Sequence, residues 1–160
     1  GTWHFIGRLQ RNKVKDVVQR FSYLHSLDRY SLAEELEKRG RQLQKTLKCF
    51  IQVNVSGETT KTGISPQELQ DFALEVANMS HIEVIGLMTM APLTENPEET
   101  RPVFRELKRW QQKLLNLEHP RLPVTHLSMG MSQDFEVAIE EGATWLRLGS
   151  ILVGNEPGGR

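Results

Sequence analysis

The stretch from Val124 to Gly154 reads VTHLSMGMSQDFEVAIEEGATWLRLGSILVG, and its reading decides the fold. Val124 to Leu127 is a short β-prone run that stops at Ser128-Met129-Gly130-Met131-Ser132. Phe135, Ala138 and Ile139 then recur at helical spacing, and Gly142 closes that helix. Trp145 to Leu148 is the next strand, broken by Gly149-Ser150. Two hydroxyl-bearing turns thus leave the same ends of two successive strands. A connection this short makes those strands parallel neighbours. Ile151 to Val153 is expected to be a short extra helix opened by Gly149-Ser150. In βα barrels such an element, with the loops after the last two strands, forms a phosphate site. Its free N–H groups and positive dipole end suit an anion. One reading is therefore a phosphate-bearing ligand with Arg147 pointing into the same mouth. The other is a pair of ordinary connecting turns.

Upstream the same alternation recurs. Trp3 to Ile6 is short, aromatic and β-prone and ends at Gly7. Val14, Val17, Val18 and Phe21 fall at the spacing of an amphipathic helix. Tyr23 to Ser26 is a second strand, and Ser31 with Glu34 is expected to form a capping box for the next helix. Gly40 leaves the end of that helix open. Leu47 to Val55 is the clearest strand, followed by a long polar loop from Ser56 to Gly63. Ser65-Pro66-Gln67-Glu68 starts a helix that buries Leu69, Phe72, Ala73, Val76 and Ala77. Ile82 to Met88 is another strand. Thr100 is expected to cap a helix lined by Val103, Leu107 and Leu114.

These are six strand–helix alternations, every connection a helical crossover, which predicts an α/β fold with a parallel sheet. A doubly wound sheet would bind through a Gly-rich first loop, and Gly7 stands alone there. The Gly/Ser turns lie at the end of the chain, as a TIM-type (β/α) barrel requires. The strands are then three to eight, with two units expected ahead of them. At ~30 residues per unit the whole protein would have on the order of 220 residues. The start at Gly1-Thr2-Trp3, inside a strand-like run and without methionine, leads to the same expectation of a fragment. Residues 1–160 are read as one domain, the C-terminal three-quarters of such a barrel.

The 160 residues suffice for one core, and a mean hydropathy of −0.43 predicts a soluble protein. Neither a membrane-spanning run nor a signal-peptide pattern is present in the sequence. Twenty basic residues balance twenty acidic ones, which argues against a nucleic-acid partner. The single Cys49, in an apolar run, reads as a buried reduced thiol and a cytoplasmic location. The five histidines do not pair at metal-ligand spacing, so no metal is expected.

Few residues could carry chemistry. Arg147 faces opposite to Leu146 and Leu148, either into the barrel mouth or out to a salt bridge with Glu140 or Glu141. Lys13 and Lys61 sit in loops on the same face and could meet an anion or simply be solvated. His4 reads as a hydrogen-bonded core or mouth histidine rather than a general base. Met88, Met90, Met129 and Met131 are expected to pack the mouth. Ser132 can be explained as part of a cap on the following helix.

Together, these motifs resemble a known family. Trp3-His4-Phe5-Ile6-Gly7-Arg8-Leu9-Gln10-Arg11-Asn12-Lys13 is similar to its long signature. Gln52 to Ser56, Lys61 to Ile64, Gly86-Leu87-Met88, Leu127 to Ser132, and Arg147-Leu148-Gly149-Ser150 through Gly154 follow in the family's order. The family is that of the pyridoxal-phosphate homeostasis proteins, single-domain barrels similar to the N-terminal domain of alanine racemase.

The resemblance implies a pyridoxal 5′-phosphate-binding protein of vitamin B6 and amino-acid homeostasis, without established catalytic turnover. It implies that Ser132, Gly149 and Ser150 hold the phosphate and that Arg147 faces the pyridine nitrogen. His4, Asn54, Met88 and Met131 are further pocket candidates. The family's Schiff-base lysine lies in an Ala-Val-Ser-Lys-like context, which this sequence lacks. The chain as written is thus expected to hold the phosphate end without a covalent link, and no catalytic residue is assigned. A racemase-like enzyme and a regulatory interaction module are the competing readings, and the sequence is silent on protein partners.

Overall fold

A computed structural model describes residues 2–56, 62–149 and 151–154. Their element order is β1 (His4–Phe5), α1 (Val14–Arg20), β2 (Tyr23–Leu27), α2 (Tyr30–Leu43), β3 (Leu47–Gln52), α3 (Pro66–Ala77) and β4 (Ile82–Met88). Then come α4 (Arg101–Leu115), β5 (His126–Ser128), α5 (Phe135–Glu140), β6 (Trp145–Leu148) and β7 (Ile151–Gly154). Single 3₁₀ turns precede α1 and α4. The sheet runs β1 to β7 in sequence order, parallel from β1 to β6. This is the α/β architecture that the alternation predicts.

The sheet is strongly curled. β1 and β6 are five strand steps apart, roughly 24 Å in a flat sheet. Yet the rings of His4 on β1 and Trp145 on β6 lie 4.8 Å apart. Tyr23, Phe50, Ile85, Met88 and Trp145 fill the concave side, with Ile6, Met90 and Leu152 against them. The larger core lies between the convex side and the helices. There Leu24, Cys49, Ile51, Val84, Leu87, Leu127 and Leu146 meet the apolar stripes of α1 to α5. Strand alternation separates the two cores: Cys49 and Ile51 face the helices while Phe50 faces inward. Cys49 is free and fully buried, and burial pushes its thiol pKa up. Among the described residues no helix is long and apolar enough to cross a membrane.

The end of the chain departs from expectation. Ile151 to Val153 is not a helix but part of β7, antiparallel to β6 with Arg147 opposite Leu152 and Trp145 opposite Gly154. Not every connection is a helical crossover, therefore, and the sixth strand is followed by a hairpin. Two residues of β7, Ile151 and Val153, are β-branched, and the segment extends the sheet edge rather than winding into a turn of helix. On α5 the buried residues are Val137 and Ala138, whereas Phe135 is 37% and Ile139 52% exposed. α2 begins at Tyr30, one residue before the expected cap, and Arg29 at its N-cap makes no capping bond. Gly40 lies inside α2, which ends where Gln44 turns left-handed at φ 53°. Thr100 precedes α4 but donates to the Pro97 carbonyl instead of accepting from the helix.

At the end of the sheet where the strands begin, Glu37 of α2 holds the turn before β4. Its Oε1 accepts from the His81 amide at 2.7 Å, and its Oε2 pairs with His81 Nδ1 at 2.9 Å and Arg41 at 3.0 Å. Ser80 adds a bond at 3.2 Å. Burial raises the Glu37 carboxyl pKa, but the bonds from His81 and Ser80 outweigh it and hold it below the ordinary value. A lowered folded-state pKa adds stability above the unfolded value and loses it as pH falls. Glu37→Gln should therefore lower unfolding free energy by about 2 kcal/mol at neutral pH. In chemical denaturation, the gap to wild type should shrink below the ordinary value of 4.5.

Candidate functional site

β5 and β6 share one short backbone pair, but their bonding continues past the strand ends. The Met129 amide donates to the Trp145 carbonyl at 3.1 Å, and the Arg147 amide to the Gly130 carbonyl at 3.0 Å. The next position belongs to a side chain: the Gly149 amide donates to Ser132 Oγ at 2.9 Å. The serine oxygen thus stands where a ladder carbonyl would, and binds the two Gly/Ser turns together. Ser132 does not cap α5. Asp134 sits at that N-cap and accepts instead from the Met131 amide at 2.8 Å, which fixes the loop. Ser150, the other proposed phosphate residue, lies outside the described residues, as does Lys61.

Arg147 follows Trp145 by two residues and shares its inward face, while Leu146 and Leu148 pack on the helix side. The alternative partners are occupied. Glu140 pairs with Arg101 at 2.6 Å, and Glu141 pairs with Arg101 and Arg105 at 2.7 and 3.0 Å. Among the described residues Arg147 has no ion-pair partner. Half-buried, its pKa is lowered by desolvation, which the charge of Asp134 partly offsets. A cavity of about 340 Å³ opens in front of it, lined by His4, Ile6, Met131, Arg147, Gly149, Ile151 and Leu152. That volume is in the roughly 300–1,000 Å³ range of small-molecule sites. Gly149 has φ 62° with open space around its Cβ position. A second cavity, about 380 Å³, shares Met131 and Arg147 and extends along Met90 to Leu93.

The remaining sequence candidates separate. Met88 is buried in the concave core, and Met129 belongs to the helix-side core. Asn54 lies beyond β3, where its amide donates to the Ile64 carbonyl and its side chain accepts from Ser56. It does not line the Arg147 cavity. Lys13 lines a different cavity with Arg8, Asp16 and Arg20.

Sequence reasoning missed the polar chain beneath the cavity. His4 stacks on Tyr23 with centroids 4.0 Å apart and an interplanar angle of 4°. His4 Nδ1 lies 3.0 Å from His25 Nε2, and His25 Nδ1 lies 2.8 Å from Ser128 Oγ. His25 is fully buried and stacks on Phe50. Burial first, then the charges of His4 and Arg147, push its pKa down to about 3. The sequence signal was a lone histidine two residues after an aromatic on an apolar strand. The signature segment after β1 is pinned from β2 and its end: Ser26 donates to the Gly7 carbonyl and Arg29 to that of Leu9.

A model of the alanine racemase N-terminal domain family matches residues 2–157. The pyridoxal phosphate homeostasis protein of Aquifex aeolicus is 48% identical over 152 residues, 95% of this chain and 66% of that protein. The Synechocystis protein of the same name is 37% identical over 96% of this chain and 69% of its own length.

The chain belongs to the alanine racemase N-terminal domain family, among the pyridoxal phosphate homeostasis proteins.

It spans about two thirds of the length of these relatives. Among solved structures of the family, PipY of Synechococcus elongatus superposes with a TM-score of 0.85 at 35% identity, over 92% of this chain and 68% of PipY. PipY with PLP bound gives 0.82 at 34% identity. An alanine racemase of Clostridium difficile, at 17% identity and 0.71, shares the fold.

The Ser132 bond yields a local prediction. Ser132→Ala removes the acceptor of the Gly149 amide, and a hydrogen bond of this kind is worth about 1 kcal/mol. Hydrogen exchange at Gly149 should accelerate roughly fivefold, with the amides of β3 unchanged.

Proposed function

We propose that the chain binds pyridoxal 5′-phosphate at the rim of the curled sheet and serves vitamin B6 and amino-acid homeostasis without catalytic turnover. The observation that carries this reading is Arg147: a half-buried guanidinium on the concave face, facing a cavity, with no ion-pair partner among the described residues. A buried cation calls for an acceptor or an anion. Family membership and the PLP-bound PipY structure support the choice of ligand.

The residues present suit that ligand. With its oxygen accepting from Gly149, Ser132 still has a proton to donate to a phosphate oxygen. Gly149 leaves open space above its backbone for a phosphate to approach. Ser150, adjacent in sequence, is read as a further phosphate donor, and Met131 and His4 as walls. Asn54 and Met88 are assigned no direct contact. Arg147 would donate to the pyridine nitrogen and, being cationic, disfavour its protonation. When bound, pyridoxal phosphate supplies an electron-withdrawing ring. Arg147 restrains that capacity, which fits storage or delivery of the cofactor better than racemisation.

We also read β1 to β6 as strands three to eight of an eight-stranded TIM-type barrel, and the chain as a single domain forming its C-terminal three-quarters. The consecutive parallel order and the curl support this reading.

Titration with pyridoxal phosphate, followed by absorbance, tests the function. Arg147→Ala should weaken binding about tenfold or more, and Arg147→Lys should not restore it, because a point charge cannot replace the planar donor. Unchanged affinity in Arg147→Ala removes the residue from the site.

A further inference from the structure

We propose that the second cavity, which shares Arg147 and Met131 with the first, is a separate binding site for a small aliphatic carboxylate. It measures about 380 Å³, and Met90, Ala91, Pro92, Leu93, Met131 and Arg147 line it. Among these residues Arg147 carries the one polar side chain. The rest of the wall is aliphatic or thioether. A ligand that fits is therefore apolar along its body and anionic at one point.

Most of the wall comes from the segment after β4. Its start is fixed: the Thr89 hydroxyl donates to the Val53 carbonyl at 2.9 Å, and the Thr89 amide to the Ser128 carbonyl at 3.2 Å. Met90 packs against the concave core and Ala91 against the helix-side core, while Leu93 stands 77% exposed. Apolar area thus remains at the mouth for a ligand chain to cover. Among the described residues no acidic side chain lines the cavity, and Arg147 has no ion-pair partner.

The charge of the anion follows from the donors. A dianionic phosphate needs several, and Gly149, part of the phosphate grip proposed above, lines the first cavity and not the second. A single guanidinium matches one carboxylate, through two parallel N–H bonds and one unit of charge. Methionine walls adapt to chains of different shape. Arg147 lines both cavities, and a guanidinium has more N–H groups than one ring nitrogen can use. The inference therefore shares Arg147 with the proposed function without requiring that reading.

The test is methyl NMR on protein labelled at the methionine methyl groups, titrated with isovalerate in the absence of cofactor. The signals of Met90 and Met131 should move, and that of Met129, buried in the helix-side core, should not. Isovaleramide, which lacks the charge, and acetate, which lacks the chain, should each bind about tenfold more weakly. Arg147→Gln should erase the preference for the acid over the amide. Leu93→Asp, an exposed change that leaves the core intact, should weaken isovalerate by a similar factor. Equal affinity for acid and amide in the wild type, inorganic phosphate shifting Met90 as strongly as isovalerate, or unchanged affinity in Leu93→Asp overturns the proposal. With pyridoxal phosphate added to saturation, isovalerate should still move Met90; its complete displacement would make the two cavities one site and overturn the proposal too. Failure of pyridoxal phosphate to bind counts against the proposed function alone, because the first titration is read without it.

Discussion

The contact of His4 with Tyr23, and of Trp145 with His4, is what the remaining structure depends on. A parallel sheet with helices on its convex side must still fill its concave side. Here rings from β1, β2, β3 and β6 fill it, and they meet only if the sheet bends back on itself. The bend brings the start of the chain beside its end. His4 and Arg147, 143 positions apart in the numbering, thereby come to line one cavity. A flat sheet of the same order would carry the same side chains without assembling a site.

Electrostatics at the rim follow from how charge is distributed around it. On the outside, Arg101 and Arg105 take up Glu140 and Glu141, the acids nearest to Arg147 in sequence. The inner guanidinium is left to the cavity. The continuation of the β5–β6 ladder through Ser132 then joins the two turns flanking that charge. Rigid backbone around a partly desolvated cation is the arrangement in which a ligand pays little for reorganisation.

Much of this was legible in the residues. Alternation along Trp145-Leu146-Arg147 gave the strand, and one face had to be the interior. Six parallel strands and their crossover helices followed from periodicity, since burying apolar stripes is a local, repetitive requirement. At β7 the β propensity of Ile151 and Val153 outweighs the barrel analogy that predicts a short helix there. The expected cap at Ser31 fails because α2 already begins at Tyr30, and the one at Thr100 because its hydroxyl donates to the Pro97 carbonyl instead. Phe135, Ala138 and Ile139 do recur within a helix, but its buried residues are Val137 and Ala138, because six residues carry too little periodicity to fix a face. The polar chain was hidden for a different reason. His25 and Ser128 are 103 residues apart, and nothing local marks either as the other's partner.

The hairpin at the end of the sheet carries one more consequence. Gly154 pairs with Trp145 so closely that a Cβ there would lie 2.3 Å from the indole ring. A slip of one residue would bring Val153 against that ring and turn Leu152 from the cavity to solvent. Glycine therefore works as a register pin: the missing side chain permits one alignment of the closing strand and bars its nearest competitor. The shape of the cavity wall is thus set partly by an atom that is not there.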